Sequence, residues 1–201
     1  TPDISAVLDR LLEHALCDED AEIRLMILRL MDERFDTRLA QAPHVHVLFV
    51  ILNDESLAVR EEAVRIVGRL TRYNPAFVMP YLRKTIIRLL TQLKFTADAK
   101  ANEEASELLG QLVGALDKLA RPYVDPLLDD LIPKLGASID AGQITTSTHL
   151  LDAIGDLVTI GSDVAQYTGA MMRHIIAVLQ DRGNSQKKSQ RREAALVALG
   201  K

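Results

Sequence analysis

A short segment centred on a glycine recurs along the chain at a nearly constant interval. Residues 67–70 read Val-Gly-Arg-Leu, residues 109–112 read Leu-Gly-Gln-Leu, and residues 154–157 read Ile-Gly-Asp-Leu. The glycines of this series are Gly68, Gly110, Gly155 and Gly200, and they lie 42, 45 and 45 residues apart. Such an interval indicates one structural unit repeated in tandem, which constrains the fold more than any single motif does.

A second marker keeps the same interval. The sequence Phe-Val-Met-Pro-Tyr-Leu at residues 77–82 aligns with residues 123–128, 46 positions later, and more weakly with residues 167–172, a further 44 positions on. Each copy precedes a glycine of the first series by the length of a helix and a turn. One repeat is therefore helix A, turn, helix B. Its period falls in the range of about 40–47 residues that is typical of HEAT and armadillo repeats.

Apolar residues within each unit follow a helical period. Between residues 124 and 135 they occur at i, i+3, i+4, i+7, i+8 and i+11, and residues 105–116 repeat that pattern. Aromatic residues make up only 4% of the chain, which favours helices packed on helices over a β-sandwich. A glycine inside a helix costs about 1 kcal/mol relative to alanine, so its recurrence in each helix B predicts a close approach of two helices in every repeat. The predicted fold is all-α, an α-solenoid of about five HEAT-type helix-turn-helix repeats.

The repeats are predicted to form one continuous array over residues 1–201, with the last repeat truncated. Their approximate bounds are 1–35, 36–73, 74–118, 119–161 and 162–201. The paired helices are expected near 4–16 and 20–34, 36–52 and 56–72, 75–93 and 99–117, 122–136 and 143–161, and 163–180 and 186–201. Residues 44–50 alternate and are rich in valine, so taken alone they predict a strand. The register of the repeats places a helix A there instead, with Pro43 either kinking that helix or marking its start.

Residues that could carry catalysis or bind a metal do not fall into a recognised spacing. His44 and His46 are two positions apart, whereas a zinc site on a helix needs ligands at i, i+3 or i, i+4. The single cysteine, Cys17, is interpreted as a small buried residue on a helix face. Asp125 and Asp129 share one helical face and could serve acid–base chemistry, but a solvated face is the preferred interpretation. We expect no catalytic residue, no cofactor and no metal, and phosphate-binding glycine loops are absent from the sequence.

Charge is distributed unevenly along the chain. Residues 60–94 carry 8 basic and 2 acidic residues, whereas residues 1–59 carry 5 basic and 12 acidic residues. The candidate partner surface in the basic block consists of Arg65, Arg69, Arg72, Arg83, Lys84 and Arg88. It would fit an acidic segment of another protein, and the alternative is that the flanking acidic repeats neutralise it internally. Nucleic acid is not expected, because the whole chain has a net charge of −4 and its few aromatic residues follow the packing pattern.

Two smaller features carry predictions of their own. Asp54 and Arg60 are expected to tie the turn between the two helices of the second repeat, with Asp54 near the N-terminus of helix B. The densest basic run, residues 187–192, is interpreted as the exposed first turn of a helix B; a nuclear-import signal or a phosphate-binding patch is the alternative. No apolar run reaches the length of a membrane span and no targeting peptide is visible. We therefore expect a cytoplasmic piece of a longer protein with no direct membrane insertion.

Runs of consecutive residues indicate which family of repeat proteins the chain resembles. Residues 32–41 read Asp-Glu-Arg-Phe-Asp-Thr-Arg-Leu-Ala-Gln, and residues 74–84 read Asn-Pro-Ala-Phe-Val-Met-Pro-Tyr-Leu-Arg-Lys. With residues 48–54 and 67–70, these runs resemble the helical-repeat region near the N-terminus of the TOR (target of rapamycin) kinase family. The resemblance is specific between about residues 32 and 93 and thinner beyond, where residues 121–135 still suit the family.

The resemblance implies a scaffold segment of a very long serine/threonine kinase of the phosphatidylinositol-kinase-related class. In that family the helical region helps to assemble dimeric TOR complexes in nutrient and growth signalling, contacts subunits such as Raptor and the rest of the TOR chain, and reaches lysosomal or vacuolar membranes as part of the complex. The kinase domain lies far C-terminal; residues 181–184, Asp-Arg-Gly-Asn, lack the histidine of its catalytic loop. A HEAT adaptor of another system, karyopherin-like or a phosphatase scaffold, is the main alternative, and a small all-α enzyme is a remote one.

Overall fold

The computed structural model describes residues 4–161, 164–181 and 185–200, with the backbone alone at positions 117 and 118. Throughout these ranges the chain is helical or in turns, and none of the described residues forms a β-strand. The predicted all-α helical-repeat fold is confirmed. The helices gather into two compact units, Thr1–Ile86 and Ile87–Lys201, and we describe each by itself. That the chain forms one continuous array of five repeats stays a prediction.

The first unit contains two helical hairpins and the beginning of a third. Its elements are α1 (Ile4–Cys17), α2 (Ala21–Leu30), a 3₁₀ turn (Glu33–Phe35), α3 (Asp36–Leu39), α4 (Ala42–Ile51), α5 (Leu57–Leu70) and the first part of α6 (Pro75–Phe95). Helix α1 packs on α2 and α4 packs on α5, as the two halves of each hairpin do. In addition, α1 packs on α4 and α2 packs on α5. Like helices therefore stack on like helices, which is the layered arrangement expected of tandem hairpins.

The second unit repeats this arrangement. After the end of α6 come α7 (Ala99–Leu116), a 3₁₀ segment (Asp117–Tyr123), α8 (Val124–Asp140), α9 (Ile144–Ile160), α10 (Ala165–Gln180) and α11 (Gln186–Gly200). The B-type helices α7, α9 and α11 pack in that order, and the A-type helices α8 and α10 pack on each other. Leucine, isoleucine and valine fill the space between the layers: Leu109, Leu112, Leu127, Leu150 and Leu157 are all fully buried.

The helix bounds follow the predicted hairpins closely, with two differences in the first unit. Helix α2 ends at Leu30, before its predicted end, because the chain turns through a 3₁₀ segment whose N-cap is Asp32. The helix predicted over 36–52 is broken into α3 and α4. Pro43 stands in the first turn of α4 and so starts this helix without kinking it. The strand-like segment 44–50 is helical, as the repeat register predicts, and it is buried on several sides.

The predicted close approach of two helices at the repeating glycine is confirmed at Gly110. A Cβ atom added to Gly110 would lie 3.7 Å from the main-chain oxygen of His149 and 3.8 Å from the Cβ of Ala153, both on α9. Helices α7 and α9 therefore touch at Gly110, although an alanine would fit in ordinary contact. Gly200 has nothing within 4 Å of such an atom, but α11 is the last helix of the chain, so a contact with a following helix B is not tested there.

Candidate protein interaction surface

The predicted basic surface does not include Arg69, because this side chain is turned inward. Its Nη2 atom donates to a carboxylate oxygen of Asp36 at 2.9 Å and to the main-chain oxygen of Met31 at 2.7 Å, while its Nε atom lies 3.1 Å from the other oxygen of Asp36. The side chains of Arg69 and Asp36 are only 14% and 2% exposed. This pair joins α5 to α3 within the first unit, and it supports internal neutralisation at this position.

Arg65 is exposed but also has an acidic partner. Its guanidinium is hydrogen-bonded to the carboxylate of Glu62, one turn earlier on α5. That hydrogen bond raises the pKa of Arg65. The Arg65 side chain is 56% exposed and that of Glu62 only 12%. Because the two opposite charges lie side by side, they largely cancel for a distant partner.

The remaining cations of the predicted surface reach solvent. Arg72 lies in the turn between α5 and α6, and Arg83 and Lys84 lie on α6; all three are exposed. Among the described residues, no carboxylate forms an ion pair with any of the three. Arg88 is exposed as well but belongs to the second unit. In the first unit the candidate surface is therefore Arg72, Arg83 and Lys84.

Asp54 has a partner that the sequence reasoning missed. Arg24 of α2 is 4% exposed, and its Nε and Nη2 atoms donate to the two carboxylate oxygens of Asp54 at 2.8 and 2.9 Å. Its Nη1 atom donates to the main-chain oxygen of Asp18 at 2.6 Å, and Glu55 lies 3.3 Å from Nη2. Hydrogen bonding to Asp54 raises the pKa of Arg24. The arginine thus ties the turns of two successive repeats together.

Arg60 does contact the turn, but through the backbone. Its Nη1 atom donates to the main-chain oxygen of Asp54 at 2.8 Å, and the Asp54 carboxylate accepts from the backbone N–H of Ser56 at 2.8 Å. The first repeat contains the same geometry, with Arg24 donating to the main-chain oxygen of Asp18. In both repeats the arginine follows the aspartate by six residues. That shared spacing was visible in the sequence and could have identified Arg24.

The basic run of residues 187–192 is also used internally in the second unit. Arg191, 4% exposed, donates to Asp181 at 2.6 Å and lies 3.5 Å from the hydroxyl of Ser147. Lys188 donates to the other oxygen of Asp181 at 2.9 Å, and Lys187 approaches Thr145. These contacts join α11 to α9 and to the end of α10. Of the catalytic-loop-like stretch 181–184, only Asp181 lies among the described residues.

His44 and His46, the two neighbouring histidines, serve hydrogen bonding and packing. Buried His44 links two A-type helices: its Nε2 atom lies 2.7 Å from the carboxylate of Asp9, and its Nδ1 atom lies 2.8 Å from the main-chain oxygen of Arg38. The ring of His46 lies 5.4 Å from that of Tyr81. In the ranges that the structure describes, no three histidine, cysteine or acidic side chains are grouped so that they could hold a metal ion.

Two further predictions meet different outcomes. Cys17 is exposed, so the prediction of a buried cysteine is wrong; it is the last residue of α1, beyond the buried Ala15. Asp125 and Asp129 lie exposed on α8, as predicted, beside Tyr167. Burial, followed by its hydrogen bond to Asp129, raises the pKa of Tyr167. No helix in the described ranges is long and apolar enough to cross a bilayer.

Comparison with known proteins extends the resemblance over nearly the whole chain. The serine/threonine-protein kinase TOR2 of Saccharomyces cerevisiae is 43% identical over 198 residues, which is 98% of this chain. The kinase tor1 of Schizosaccharomyces pombe is 38% identical over 92% of the chain, and mTor of Drosophila melanogaster is 37% identical over 98%. The chain belongs to the TOR family. No family model matches it.

The comparison with TOR kinases also shows how small a part of these proteins the chain represents. The chain spans about 8% of the length of each of these relatives. The resemblance seen between residues 32 and 93 is part of a longer similarity, since the yeast TOR2 match alone covers 198 residues. The TOR relatives are named as serine/threonine kinases, and a helical segment of this size is a small part of such a protein.

Proposed function

We propose that this chain is a non-catalytic scaffold segment of a TOR-type serine/threonine kinase and that it presents surface to other proteins. The observation that carries the proposal is how its charged groups are used. Arg24, Arg69 and Arg191 are each held by a carboxylate inside the fold. Buried charges paired in this way fix the geometry of neighbouring helices. Because these charges are used inside the fold, the exposed faces of the hairpins remain available to bind other proteins. Extended repeat proteins use their exposed faces in this way.

The surface we propose for a partner is Arg72, Arg83 and Lys84. Three exposed cations without a described acidic partner favour an acidic segment, because complementary charge raises the rate of encounter and fixes the register of binding. By family resemblance, the partners are subunits of TOR complexes such as Raptor and other parts of the TOR chain. The setting is the cytoplasm, with the complex also peripheral on lysosomal or vacuolar membranes, in nutrient and growth signalling.

Two other functions were open at the level of sequence. A karyopherin-like or phosphatase scaffold would share the layered hairpins, but the identity of 37–43% with TOR kinases favours the TOR assignment. A small all-α enzyme would need acid–base groups gathered in a cleft. The paired carboxylates considered for that role, Asp125 and Asp129, lie exposed on the outside of α8.

The proposal is tested by reversing charge on the surface of the full-length TOR protein. We expect Arg83→Glu with Lys84→Glu to slow association with purified Raptor about fivefold or more at low salt, and the effect to shrink at high salt as charges are screened. The readout is the association rate constant, measured on immobilised TOR protein at two salt concentrations.

A matched control separates location from net charge. Arg10 and Arg29 are exposed in the same unit but outside the basic block, so Arg10→Glu with Arg29→Glu changes the net charge equally. We expect this control to associate at close to the wild-type rate. The proposed surface would be contradicted if both double variants slowed association equally, or if neither slowed it, while helicity stayed unchanged.

A further inference from the structure

In the first unit, α4 and the beginning of α6 meet through aromatic rings. The ring of Tyr81 lies 5.5 Å from that of Phe49, at an interplanar angle of 24°, and 5.4 Å from the ring of His46. Phe49 is buried, Tyr81 is half-buried and His46 is exposed. A ring of the core therefore supports the Tyr81 side chain from below, while part of that side chain reaches the surface.

Further side chains extend this ring cluster along the outside of both helices. Phe77, Tyr81 and Lys84 follow the spacing i, i+4, i+7, which places them on one face of α6. Val50 follows His46 by four residues on α4 and so lies on the same side of that helix. Phe77 is 40% exposed and Val50 is 39% exposed. His46, Val50, Phe77, Tyr81 and Lys84 together form the α4–α6 face.

The formal charge of the two helices that form this face has one sign. Residues 42–51, which form α4, contain no aspartate or glutamate, and neither do residues 75–86, the part of α6 in this unit. Lys84 is exposed, and among the described residues no carboxylate forms an ion pair with it. The α4–α6 face therefore combines exposed rings with a cation that its own helices do not neutralise.

Carboxylates of the neighbouring elements are used elsewhere. Glu55, in the turn after α4, accepts a hydrogen bond from Arg24. Asp9 and Glu13 of α1 line a cavity on the other side of α4, and Asp9 lies 2.7 Å from His44 there. His44 and His46 are two residues apart and so point to different faces of the helix. An acidic group of a partner would therefore complement Lys84.

We propose that the α4–α6 face binds an acidic segment of a partner protein that carries an aromatic anchor. The aromatic side chain packs against the exposed parts of Phe77 and Tyr81, because rings pair favourably in offset or edge-to-face arrangements. A carboxylate beside the anchor pairs with Lys84, and charge complementarity sets the register of the segment. This inference rests on the proposed scaffold role and deepens it, since it names the chemistry of the partner that the basic surface recognises.

The test uses the whole 201-residue chain and four labelled probes, with binding followed by fluorescence anisotropy at low salt. One peptide has phenylalanine anchors among glutamates, a second has the same anchors among lysines, and a third has serines in place of phenylalanine among glutamates. The fourth probe is a single-stranded RNA with the net charge of the first peptide. We expect the phenylalanine–glutamate peptide to bind about tenfold more tightly than each of the others, because it alone offers both the ring and the carboxylates.

Substitutions locate the binding on the chain. Phe77→Ala and Val50→Ser remove exposed apolar surface from α6 and α4, and Lys84→Glu reverses the charge of the face. Each should weaken binding of the phenylalanine–glutamate peptide about fivefold or more. Met26→Ala and Arg29→Glu change an exposed apolar residue and an exposed cation of α2 in the same unit. Both controls should stay within about twofold of wild type, and circular dichroism verifies the helicity of every variant.

Each alternative outcome contradicts the proposal in a different way. Equal or tighter binding of the lysine peptide would exclude an acidic partner, and equal or tighter binding of the RNA would indicate a nucleic-acid surface. Equal binding of the serine peptide, or an unchanged affinity in Phe77→Ala and Val50→Ser, would show charge attraction without an anchor. An absence of saturable binding by the phenylalanine–glutamate peptide would also overturn it. If Arg83→Glu with Lys84→Glu still slows subunit association with full-length TOR protein, the basic surface stands without the anchor.

Discussion

At the scale of single residues, Arg24 explains how this chain can bury charge. Its guanidinium has four described acceptors: the two carboxylate oxygens of Asp54, the main-chain oxygen of Asp18 and a carboxylate oxygen of Glu55. A charge taken out of water is tolerated only when it is paired and hydrogen-bonded. The Arg24–Asp54 pair also positions the helices, because it holds the turn before α5, which contains Asp54, against α2, which contains Arg24.

Removing one partner of this pair should therefore be costly. We expect Asp54→Ala to lower the free energy of unfolding by about 3 kcal/mol, because it leaves the guanidinium of Arg24 buried without its carboxylate. The measurement is equilibrium urea unfolding of the chain. Lys100→Ala removes an exposed helical ion pair with Glu104 instead, and its effect should stay below about 0.5 kcal/mol. A loss at Asp54 no larger than at Lys100 would contradict the role of the buried pair.

Lys134 gives a prediction that depends on pH. Burial lowers its pKa from the ordinary value of 10.5, so the folded chain holds this proton less tightly than the unfolded chain does. The charged lysine thus opposes folding at neutral pH, and that penalty disappears as the pH rises through the lowered pKa towards 10.5.

Accordingly, Lys134→Gln should raise the free energy of unfolding at pH 7, and the gain over wild type should shrink at alkaline pH. Glutamine and lysine have similar helix propensities, so the change isolates the charge. Lys84→Gln, on the exposed face of α6, is the control and should show no such gain. A stability difference at position 134 that grows with pH would have the wrong sign.

At the scale of helices, the sequence predicts the elements better than the contacts between them. The period and the apolar stripes predict the hairpins, and the repeat register identifies α4 as a helix despite its strand-like composition. What the pattern does not determine is the direction of a long side chain. Arg65, Arg69 and Arg72 follow one helical spacing, yet only Arg69 reaches back to Asp36. That outcome depends on the short helix α3, which the sequence does not separate from α4.

Glycines within helices offer a matched comparison of packing. A Cβ atom added to Gly136 of α8 would lie 2.6 Å from the Cε1 atom of His174 on α10, whereas Gly169 of α10 has nothing within 4 Å. Alanine is favoured over glycine by about 1 kcal/mol inside a helix. We expect Gly169→Ala to raise the thermal midpoint, and Gly136→Ala to raise it less or to lower it.

The double variant Gly136→Ala with His174→Ala separates the two contributions. Once the imidazole is removed, alanine at position 136 should regain its helical advantage over glycine, which is measured against His174→Ala alone. If Gly136→Ala stabilises the chain as much as Gly169→Ala does, α8 and α10 are not as close at this point as the structure shows.

At the scale of the whole molecule, the features of the chain suit a non-catalytic scaffold. Its sequence contains no phosphate-binding glycine loop, and it spans about 8% of the TOR kinases that it resembles. We therefore expect the isolated chain not to bind ATP, with or without magnesium, by isothermal titration calorimetry. Saturable heats of binding would contradict the proposed non-catalytic role, and full-length TOR protein provides the positive control.

The central claim is that this segment presents its exposed faces to other proteins in a TOR complex. The most direct test is a lysine cross-linking map of the full-length TOR protein assembled with its subunits. Lys84 belongs to the proposed basic surface in the first unit, and Lys94 lies on the part of α6 in the second unit; both are exposed. The account predicts cross-links from these lysines to other subunits or to distant parts of the TOR chain. Cross-links confined to neighbouring positions of this segment, with both lysines still reactive in the assembled complex, would contradict it.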